Sequence, residues 1–246
     1  DELKSLREFF KTNVQQQDVA AIIIELVQGE GGFTVAPKEY ISGLREICDK
    51  YGIKLIFDEV QTGFGRTAAW SASSHYGVQP DISTWAKSMG SGMPIGAIIG
   101  KQAVMDAAAI GTIGGTYIGN PLSCAASLAT IKYMEDIGLN DKARNIGGII
   151  RDRFNTLKDK HTEIGDVRGL GAMIAMEFVK DNDPLQPDDE LCAELVKACA
   201  DKRLIVVAAG VHKNVLRTLV PLVISEELLN KGLDIIAGEF ERLTAK

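Results

Sequence analysis

The chain has 246 residues and a formal net charge of -6, from 27 basic and 33 acidic side chains. With 46% hydrophobic and 24% charged residues, its composition excludes a disordered chain and is typical of a globular protein with one or two domains. The basic residues are scattered along the sequence, which argues against nucleic acid or an anionic membrane as a partner.

Strand and helix patterns alternate up to about residue 100. Short apolar runs predict strands at 19–26, 53–57, 81–86 and 95–100. The first run contains Ile22-Ile23-Ile24 and is expected to be buried on both faces. Pro37 and Gly52 mark the start and the end of a helix between the first two strands. This alternation predicts an α/β layer with a largely parallel sheet.

The pattern changes in the second half of the chain. Asn120-Pro121 begins a helix rich in small residues. The predicted elements that follow are a helix at 139–157, strands at 167–179, a helix at 191–199, strands at 204–208 and 215–220, and a last helix capped by Ser225. This order predicts a separate, small α+β domain.

The cysteines show no CxxC pair and no metal-ligand spacing; they are Cys48, Cys124, Cys192 and Cys199. We therefore predict small buried side chains in a reducing compartment, and no metal site. No apolar run approaches the ~18 residues of a membrane span. Together these features lead us to expect a cytoplasmic protein.

An acid pair, Asp58-Glu59, follows the second predicted strand, at the end where parallel sheets bind ligands. A Walker B pair would need a P-loop, GxxxxGK[ST], and the sequence has none. The segment 63–68 matches the dinucleotide fingerprint GxGxxA, but it starts too far beyond the strand and no helix follows. Two interpretations remain: a carboxylate that keeps the ring nitrogen of pyridoxal phosphate protonated, or an acid pair that caps a loop.

Lys87 follows the third predicted strand, inside an uncharged stretch that leads into the glycine-rich segment 90–92. An unpaired ammonium is costly in apolar surroundings, and the loss of water lowers the pKa of lysine and favours Schiff-base formation. An aspartate and a lysine at successive strand ends suit a cofactor that bridges both. We therefore expect Lys87 to be shielded from water, opposite Asp58.

A series of ordered motifs resembles the class III (ω) pyridoxal-phosphate-dependent aminotransferases, over essentially the whole chain. They are Glu25-Leu26-Val27-Gln28-Gly29-Glu30-Gly31-Gly32, Asp58-Glu59-Val60-Gln61, Ala86-Lys87-Ser88, Gly114-Gly115-Thr116-Tyr117-Ile118-Gly119-Asn120-Pro121, Gly165-Asp166-Val167-Arg168-Gly169-Leu170-Gly171 and Leu216-Arg217-Thr218-Leu219-Val220-Pro221-Leu222. The resemblance implies a fold-type I α/β fold. Residues 1–136 would form the C-terminal half of its large, mainly parallel cofactor-binding domain, and residues 137–246 its small α+β domain.

The resemblance also implies a role for each matching residue. Lys87 would bind pyridoxal phosphate as a Schiff base and shuttle the proton, and Asp58 would pair with the pyridine nitrogen. Gln61 would approach the 3-hydroxyl of the cofactor, with Val60 beside it. Thr116 would reach the phosphate held by a neighbouring subunit, so a homodimer is expected.

Substrate recognition is implied for Arg217 and Glu30. An arginine fork matches a carboxylate with two bonds, and Arg217 corresponds to the family's binder of the α-carboxylate of glutamate or 2-oxoglutarate. Glu30 would pair with Arg217 when the amino donor lacks that carboxylate. The expected reaction converts 4-aminobutyrate and 2-oxoglutarate into succinate semialdehyde and glutamate.

Two departures from the family qualify this expectation. Leu26 stands where the family usually has proline, and nothing matches the family's N-terminal half. The chain begins at Asp1 in an amphipathic stretch, which suggests a cut chain, and we expect it to be inactive by itself. The alternatives are another ω-aminotransferase of the acetylornithine or ornithine type, an aminomutase, a non-catalytic remnant, or one half of a nicked enzyme with a separate N-terminal fragment.

Overall fold

The structure, a computed structural model, describes residues 2–245; Asp1, where the first helix pattern begins, and Lys246 lie outside the described residues. The chain divides into two compact units. Unit 1 comprises residues 1–26, 36–64 and 69–137, and unit 2 comprises residues 27–35, 65–68 and 138–246. The assignment of a cofactor-binding domain to 1–136 and a small domain to 137–246 stays a prediction.

Unit 1 is built around a mixed four-stranded sheet. Its elements are α1 (Glu2–Thr12), β1 (Ala21–Ile24), α2 (Lys38–Tyr51), β2 (Lys54–Asp58), β3 (Ile82–Trp85), β4 (Ala97–Gly100), α3 (Gln102–Met105) and α4 (Pro121–Asp136). Short 3-10 helices lie at Gln16–Asp18, Ala72–His75 and Lys87–Gly90.

The sheet of unit 1 has the order β1-β2-β3-β4, with the first three strands parallel and β4 antiparallel. This confirms the predicted α/β class. The prediction that β1 is buried on both faces is wrong, because Ile23 is 62% exposed. Strand β1 forms an edge of the sheet, and its side chains alternate, so that Ile22 and Ile24 pack on the core of unit 1 while Ile23 points away from it.

Helix α2 covers the core of unit 1, which contains the fully buried side chains of Leu55 and Phe57 from β2. The helix ends at Gly52, which adopts a left-handed conformation (φ 72°) and donates its N–H to the carbonyl of Cys48. Only a residue without Cβ takes this conformation at little cost, which explains why the glycine marked the end of the helix in the sequence.

Unit 2 has a second four-stranded sheet, in which every strand pairing is antiparallel. Its elements are α5 (Leu139–Lys158), β5 (Ile164–Leu170), β6 (Met173–Phe178), α6 (Asp189–Asp201), β7 (Val207–Ala209), β8 (Val215–Thr218) and α7 (Glu226–Thr244), and the strand order is β5-β6-β8-β7. The segment 27–35 packs on this sheet through Phe33, which is fully buried against Met173, Ala175 and Val215.

The cysteines are free thiols, and Cys48, Cys192 and Cys199 are buried. Burial raises the pKa of Cys192 to about 12 and that of Cys199 to about 11. Within residues 2–245, no cluster of His, Cys, Asp or Glu side chains is arranged to hold a metal ion. No helix in the same described part of the chain has the length and apolar character needed to cross a membrane.

An ion-pair network in unit 1 is centred on the buried carboxylate of Asp81, the residue before β3. Its carboxylate accepts hydrogen bonds from Lys101 Nζ (2.7 Å), Arg45 Nη1 (2.9 Å) and the backbone N–H of Leu55 (2.9 Å). Burial by itself raises the pKa of this carboxyl, but the bonds from Lys101, Leu55 and Arg45 outweigh it and hold the pKa at about 2. The ionised form is therefore the one that the fold stabilises.

We expect Asp81→Asn to lower the free energy of unfolding by about 2 kcal/mol at pH 7, because the amide removes the charge that pairs with Arg45 and Lys101, and the shift of the Asp81 pKa to about 2 corresponds to that free energy. Since folding lowers the pKa, the contribution of Asp81 is complete above the unfolded value near 3.8 and is lost as the pH falls toward 2. Urea unfolding between pH 7 and pH 2 measures this. Asp136→Asn, which removes an exposed carboxylate paired with Lys132, is the control. An equal loss at pH 7 and pH 2 would contradict the assignment.

Candidate active site

Asp58 is the last residue of β2 and lies half-buried at the carboxyl end of the strand. Its Oδ1 accepts hydrogen bonds from the backbone N–H of Val60 (2.9 Å) and from Thr84 Oγ1 (3.2 Å). Thr84 is also its register partner in β3. No described residue donates to Oδ2. The strand pairing thus orients this carboxylate and leaves one of its oxygens available to a ligand.

Glu59, the second member of the acid pair, is only 1% exposed and has a different role. Its carboxylate accepts hydrogen bonds from the hydroxyls of Thr62 and Ser71 and from the backbone N–H groups of Ala72 (3.0 Å) and Ser73 (3.1 Å). These donors lie in the following loop and at the start of the 3-10 helix 72–75. Of the two interpretations that the sequence left open, loop capping applies to Glu59. Asp58 is the acid that has an oxygen without a described donor.

Lys87 lies two residues beyond the end of β3, at the same end of the sheet as Asp58, and begins the 3-10 helix Lys87–Gly90. The expectation that its side chain is shielded from water is wrong for the described chain, because Lys87 and Ser88 are both exposed. Helix α4 contacts this 3-10 helix, and Thr130 Oγ1 lies 3.0 Å from Ser91 Oγ just beyond it. This contact leaves the side chains of Lys87 and Ser88 exposed.

The backbone of Lys87 is strained. Its φ of 48° lies in the left-handed region, which costs a residue with a Cβ roughly 1–2 kcal/mol. Such outliers persist where the surrounding structure holds them, and they concentrate at functional sites. The strain marks position 87 as a site where the direction of the side chain matters.

Gln61 carries an unsatisfied polar atom close to Asp58 in sequence. Its Oε1 is buried, and no hydrogen-bond partner for it lies among residues 2–245. A buried acceptor left without a donor costs about 1–3 kcal/mol. A ligand hydroxyl or N–H group would satisfy it. Val60, whose N–H is bonded to Asp58, is half-buried beside it.

Thr116 lies in an exposed turn ahead of helix α4. The first N–H groups of that helix, those of Leu122 and Ser123, are already bonded to the side chain of its N-cap residue, Asn120. The structure therefore brings Asp58, Gln61 and Lys87 to one end of the sheet, whereas none of the described hydrogen bonds joins Thr116 to them.

Arg217 and Glu30 form a two-bonded ion pair within unit 2. Nη1 and Nη2 of Arg217 each lie 2.8 Å from one oxygen of Glu30, and Nη1 also donates to the carbonyl of Gly29 (2.9 Å). The arginine side chain is 7% exposed and its guanidinium lies 5.9 Å from the centre of the Phe33 ring, whereas Glu30 is 78% exposed. A buried guanidinium thus holds a carboxylate that is exposed to water.

Two residues that contact this machinery received no role from the sequence. Thr84 orients Asp58, and its only signal was its place in the strand that precedes Lys87. Arg168 donates from Nε to the carbonyl of Gly32 (2.9 Å), in the segment that carries Glu30. Arg168 belonged to a family motif, but nothing in the sequence showed what it contacts.

Parallel strands with Asp58 and Lys87 near their carboxyl ends, and a separate antiparallel sheet that carries Arg217, are typical of the fold-type I class. Comparison with known proteins agrees, since the family described as Aminotransferase class-III matches residues 1–239. The chain belongs to the class-III aminotransferase family.

Individual relatives cover nearly all of this chain. It is 46% identical to the 4-aminobutyrate aminotransferase GabT of Escherichia coli (strain K12) over 98% of its length. It is 45% identical to the 5-aminovalerate aminotransferase DavT of Pseudomonas aeruginosa over 99%. An amine transaminase from an uncultivated Pseudomonas species, solved in its PLP-bound form, is 32% identical over 98% of this chain and 56% of its own, with a TM-score of 0.89. The chain spans 57% of the length of each of the two curated relatives.

We expect Glu59→Gln to lower the free energy of unfolding by about 2 kcal/mol, because an amide cannot accept all the hydrogen bonds that the buried carboxylate accepts. Asp58→Asn should change it by less than about 0.5 kcal/mol, since its Oδ1 keeps both acceptor bonds and the site is half-buried. Urea unfolding without added cofactor measures both variants. Equal losses would contradict the division of the acid pair into a structural and a ligand-binding member.

Proposed function

We propose that this chain is the C-terminal portion of an aminotransferase that uses pyridoxal phosphate to move an amino group from an ω-amine donor to a 2-oxo acid. The observation that carries the proposal is the pairing of Asp58 with Thr84 in adjacent parallel strands. This pairing places a carboxylate and, just beyond β3, the amine of Lys87 at the same end of one sheet.

The residues present fit that cofactor. Asp58 has an oxygen that no described residue donates to, and Gln61 has a buried acceptor without a donor. A protonated ring nitrogen suits the first, and a hydroxyl group suits the second. When bound, pyridoxal phosphate supplies a protonated ring that withdraws electrons from the carbon that loses the amino group.

In this proposal each residue acts through a single atom. Asp58 would hold the proton of the ring nitrogen, while Thr84 and the N–H of Val60 hold its Oδ1. Nζ of Lys87 holds the cofactor and afterwards moves a proton at the substrate carbon. Gln61 orients the ring through its amide oxygen.

Arg217 and Glu30 sort the two substrates by charge. With 4-aminobutyrate, which lacks an α-carboxylate, Glu30 stays on Arg217 and neutralises it. With glutamate or 2-oxoglutarate, the exposed Glu30 moves into water and the substrate carboxylate takes both guanidinium N–H groups. The exposure of Glu30 supports this exchange, because a carboxylate that is already hydrated loses little on leaving.

A homodimer is part of the proposal. The segment 110–122, which includes Thr116 and the start of α4, exposes several large apolar side chains, and clustered exposed apolar side chains are typical of an interface. They are Ile110 (107%), Ile113 (62%), Tyr117 (86%), Ile118 (70%) and Leu122 (70%). A second copy that covers them would bring Thr116 to its own cofactor phosphate. The free thiols support a reducing, cytoplasmic location.

The donor is the least constrained part of the reaction. A relative named for 5-aminovalerate is about as similar to this chain as the one named for 4-aminobutyrate, and the two donors differ by one methylene. Ornithine and acetylornithine are the further alternatives. A panel of these four donors, each with 2-oxoglutarate as acceptor, ranks them by kcat/KM. A mutase would turn over without any acceptor, and a remnant would not turn over at all.

In the intact enzyme of which this chain is a portion, we expect Lys87→Ala to abolish the absorbance band at roughly 410–430 nm that forms on uptake of pyridoxal phosphate, since Lys87 is the amine proposed to bind it covalently. Transamination should fall by about 10³-fold or more. Lys132→Ala, which removes an exposed lysine of the same unit, should keep both the band and the activity. A band that survives in Lys87→Ala would refute the assignment.

We expect Arg217→Ala to lower kcat/KM for glutamate about 100-fold, because two charge-assisted hydrogen bonds to its α-carboxylate are lost. The half-reaction with 4-aminobutyrate should fall by less than about 10-fold. Rapid-mixing absorbance measurements follow each half-reaction separately. Arg153→Ala, which removes an exposed arginine paired with Asp234, serves as the control. Equal losses with both substrates would contradict the exchange at Arg217.

A further inference from the structure

Two arginines face the segment 29–33 from the sheet of unit 2. Arg168 in β5 pairs in register with Ala175 in β6, and Ala175 pairs with Arg217 in β8. Residues paired across neighbouring strands point to the same face of a sheet. Arg168 and Arg217 therefore project on the same side, separated by a small, fully buried alanine, which leaves space for the segment to lie between them.

Each arginine holds a different backbone carbonyl of this segment. Nη1 of Arg217 donates to Gly29 (2.9 Å), and Nε of Arg168 donates to Gly32 (2.9 Å). A third bond runs from the N–H of Gly210 to the carbonyl of Glu30 (3.0 Å). The backbone around Glu30 is thus held at three points, and only one of them involves Arg217.

Arg168 is itself fixed by acidic neighbours. Its Nη1 is bonded to Asp166 (3.2 Å) and to Glu177, and its side chain is only 18% exposed. Gly32 approaches it closely, since a Cβ at this position, where φ is +92°, would lie 3.2 Å from Nη2 of Arg168 and 3.1 Å from Val215. The guanidinium therefore has a set position from which to hold the segment.

We propose that Arg168 is a positioning residue that keeps the backbone of Glu30 in place while the Glu30 side chain leaves and rejoins Arg217. This inference rests on the exchange of carboxylates at Arg217 proposed above. When Arg217 binds a substrate carboxylate, it no longer holds Glu30. The bonds from Arg168 and Gly210 remain, so Glu30 returns to the same place. Arg168 thereby favours donors that lack an α-carboxylate, which need the closed pair.

The test uses the holoenzyme and compares half-reactions with 4-aminobutyrate and with glutamate. The measured ratio is kcat/KM for 4-aminobutyrate divided by kcat/KM for glutamate. In Arg168→Gln this ratio should fall about 10-fold, the effect expected for the loss of one hydrogen bond from a charged donor. Arg168→Lys keeps the cation beside Asp166 and Glu177 and should lower the ratio by a smaller factor. If Arg168→Gln does not fold, Arg168→Lys carries the test.

Arg151→Gln is the matched control, because Arg151 also donates to a backbone carbonyl of unit 2, that of Gly169 (2.7 Å), away from the segment 29–33. It should lower the melting temperature and leave the ratio unchanged. A fall in both half-reactions by the same factor in the Arg168 variants would show a purely structural role and overturn the inference.

A Glu30→Ala background separates this inference from the proposed exchange. There, Arg168→Gln should have no further effect on the ratio, since Arg168 acts through Glu30. If Glu30→Ala alone leaves the ratio unchanged, the exchange at Arg217 is wrong. A further outcome is that Glu30→Ala changes the ratio while Arg168→Gln leaves it unchanged, or changes it by the same factor with and without Glu30. In either case the exchange at Arg217 stands and the role of Arg168 is wrong.

Discussion

The parallel pairing of β2 with β3 is the constraint on which the chemistry proposed for unit 1 depends. Asp58 lies opposite Thr84 and is hydrogen-bonded to it, so any shift in register would move the carboxylate and the turn of Lys87 apart. The buried side chain of Glu59 stabilises the same end of the sheet, because it accepts hydrogen bonds from the loop that follows. Glu59 thus stabilises the loop after β2, while Asp58 keeps one carboxylate oxygen available at the end of the strand.

In unit 2, the proposed function requires the guanidinium of Arg217 to bind a substrate carboxylate and to have another partner when no substrate is bound. Burial of Arg217 against Phe33 strengthens its electrostatic interactions, but it also makes a guanidinium without a carboxylate partner costly. Glu30 provides that carboxylate partner from the same chain. Because its side chain is exposed, a substrate carboxylate could replace it. In the proposed exchange Glu30 has to return to Arg217 after each substrate leaves, and a restrained backbone would serve that purpose.

Local patterns in the sequence predicted the elements well where the cause was local. Gly52 ended α2 as expected, and the alternation of strands with helices gave the correct class. The environment of each side chain depends on residues far away in the chain, and here the sequence was a weaker guide. Arg168 and Gly32 are 136 residues apart, and the exposure of Lys87 depends on what packs over its turn. Only the family resemblance joined Glu30 to Arg217.

The left-handed backbone at position 87 has a consequence for how this protein trades stability against activity. A glycine there would adopt the same φ without a Cβ penalty, so the most stable residue at this position is one that carries no amine. Selection for folding alone would drift away from lysine. If Lys87 is the amine of the proposed reaction, the protein keeps a conformationally unfavourable residue at this position for its chemistry, and any stabilised variant has to gain its stability elsewhere.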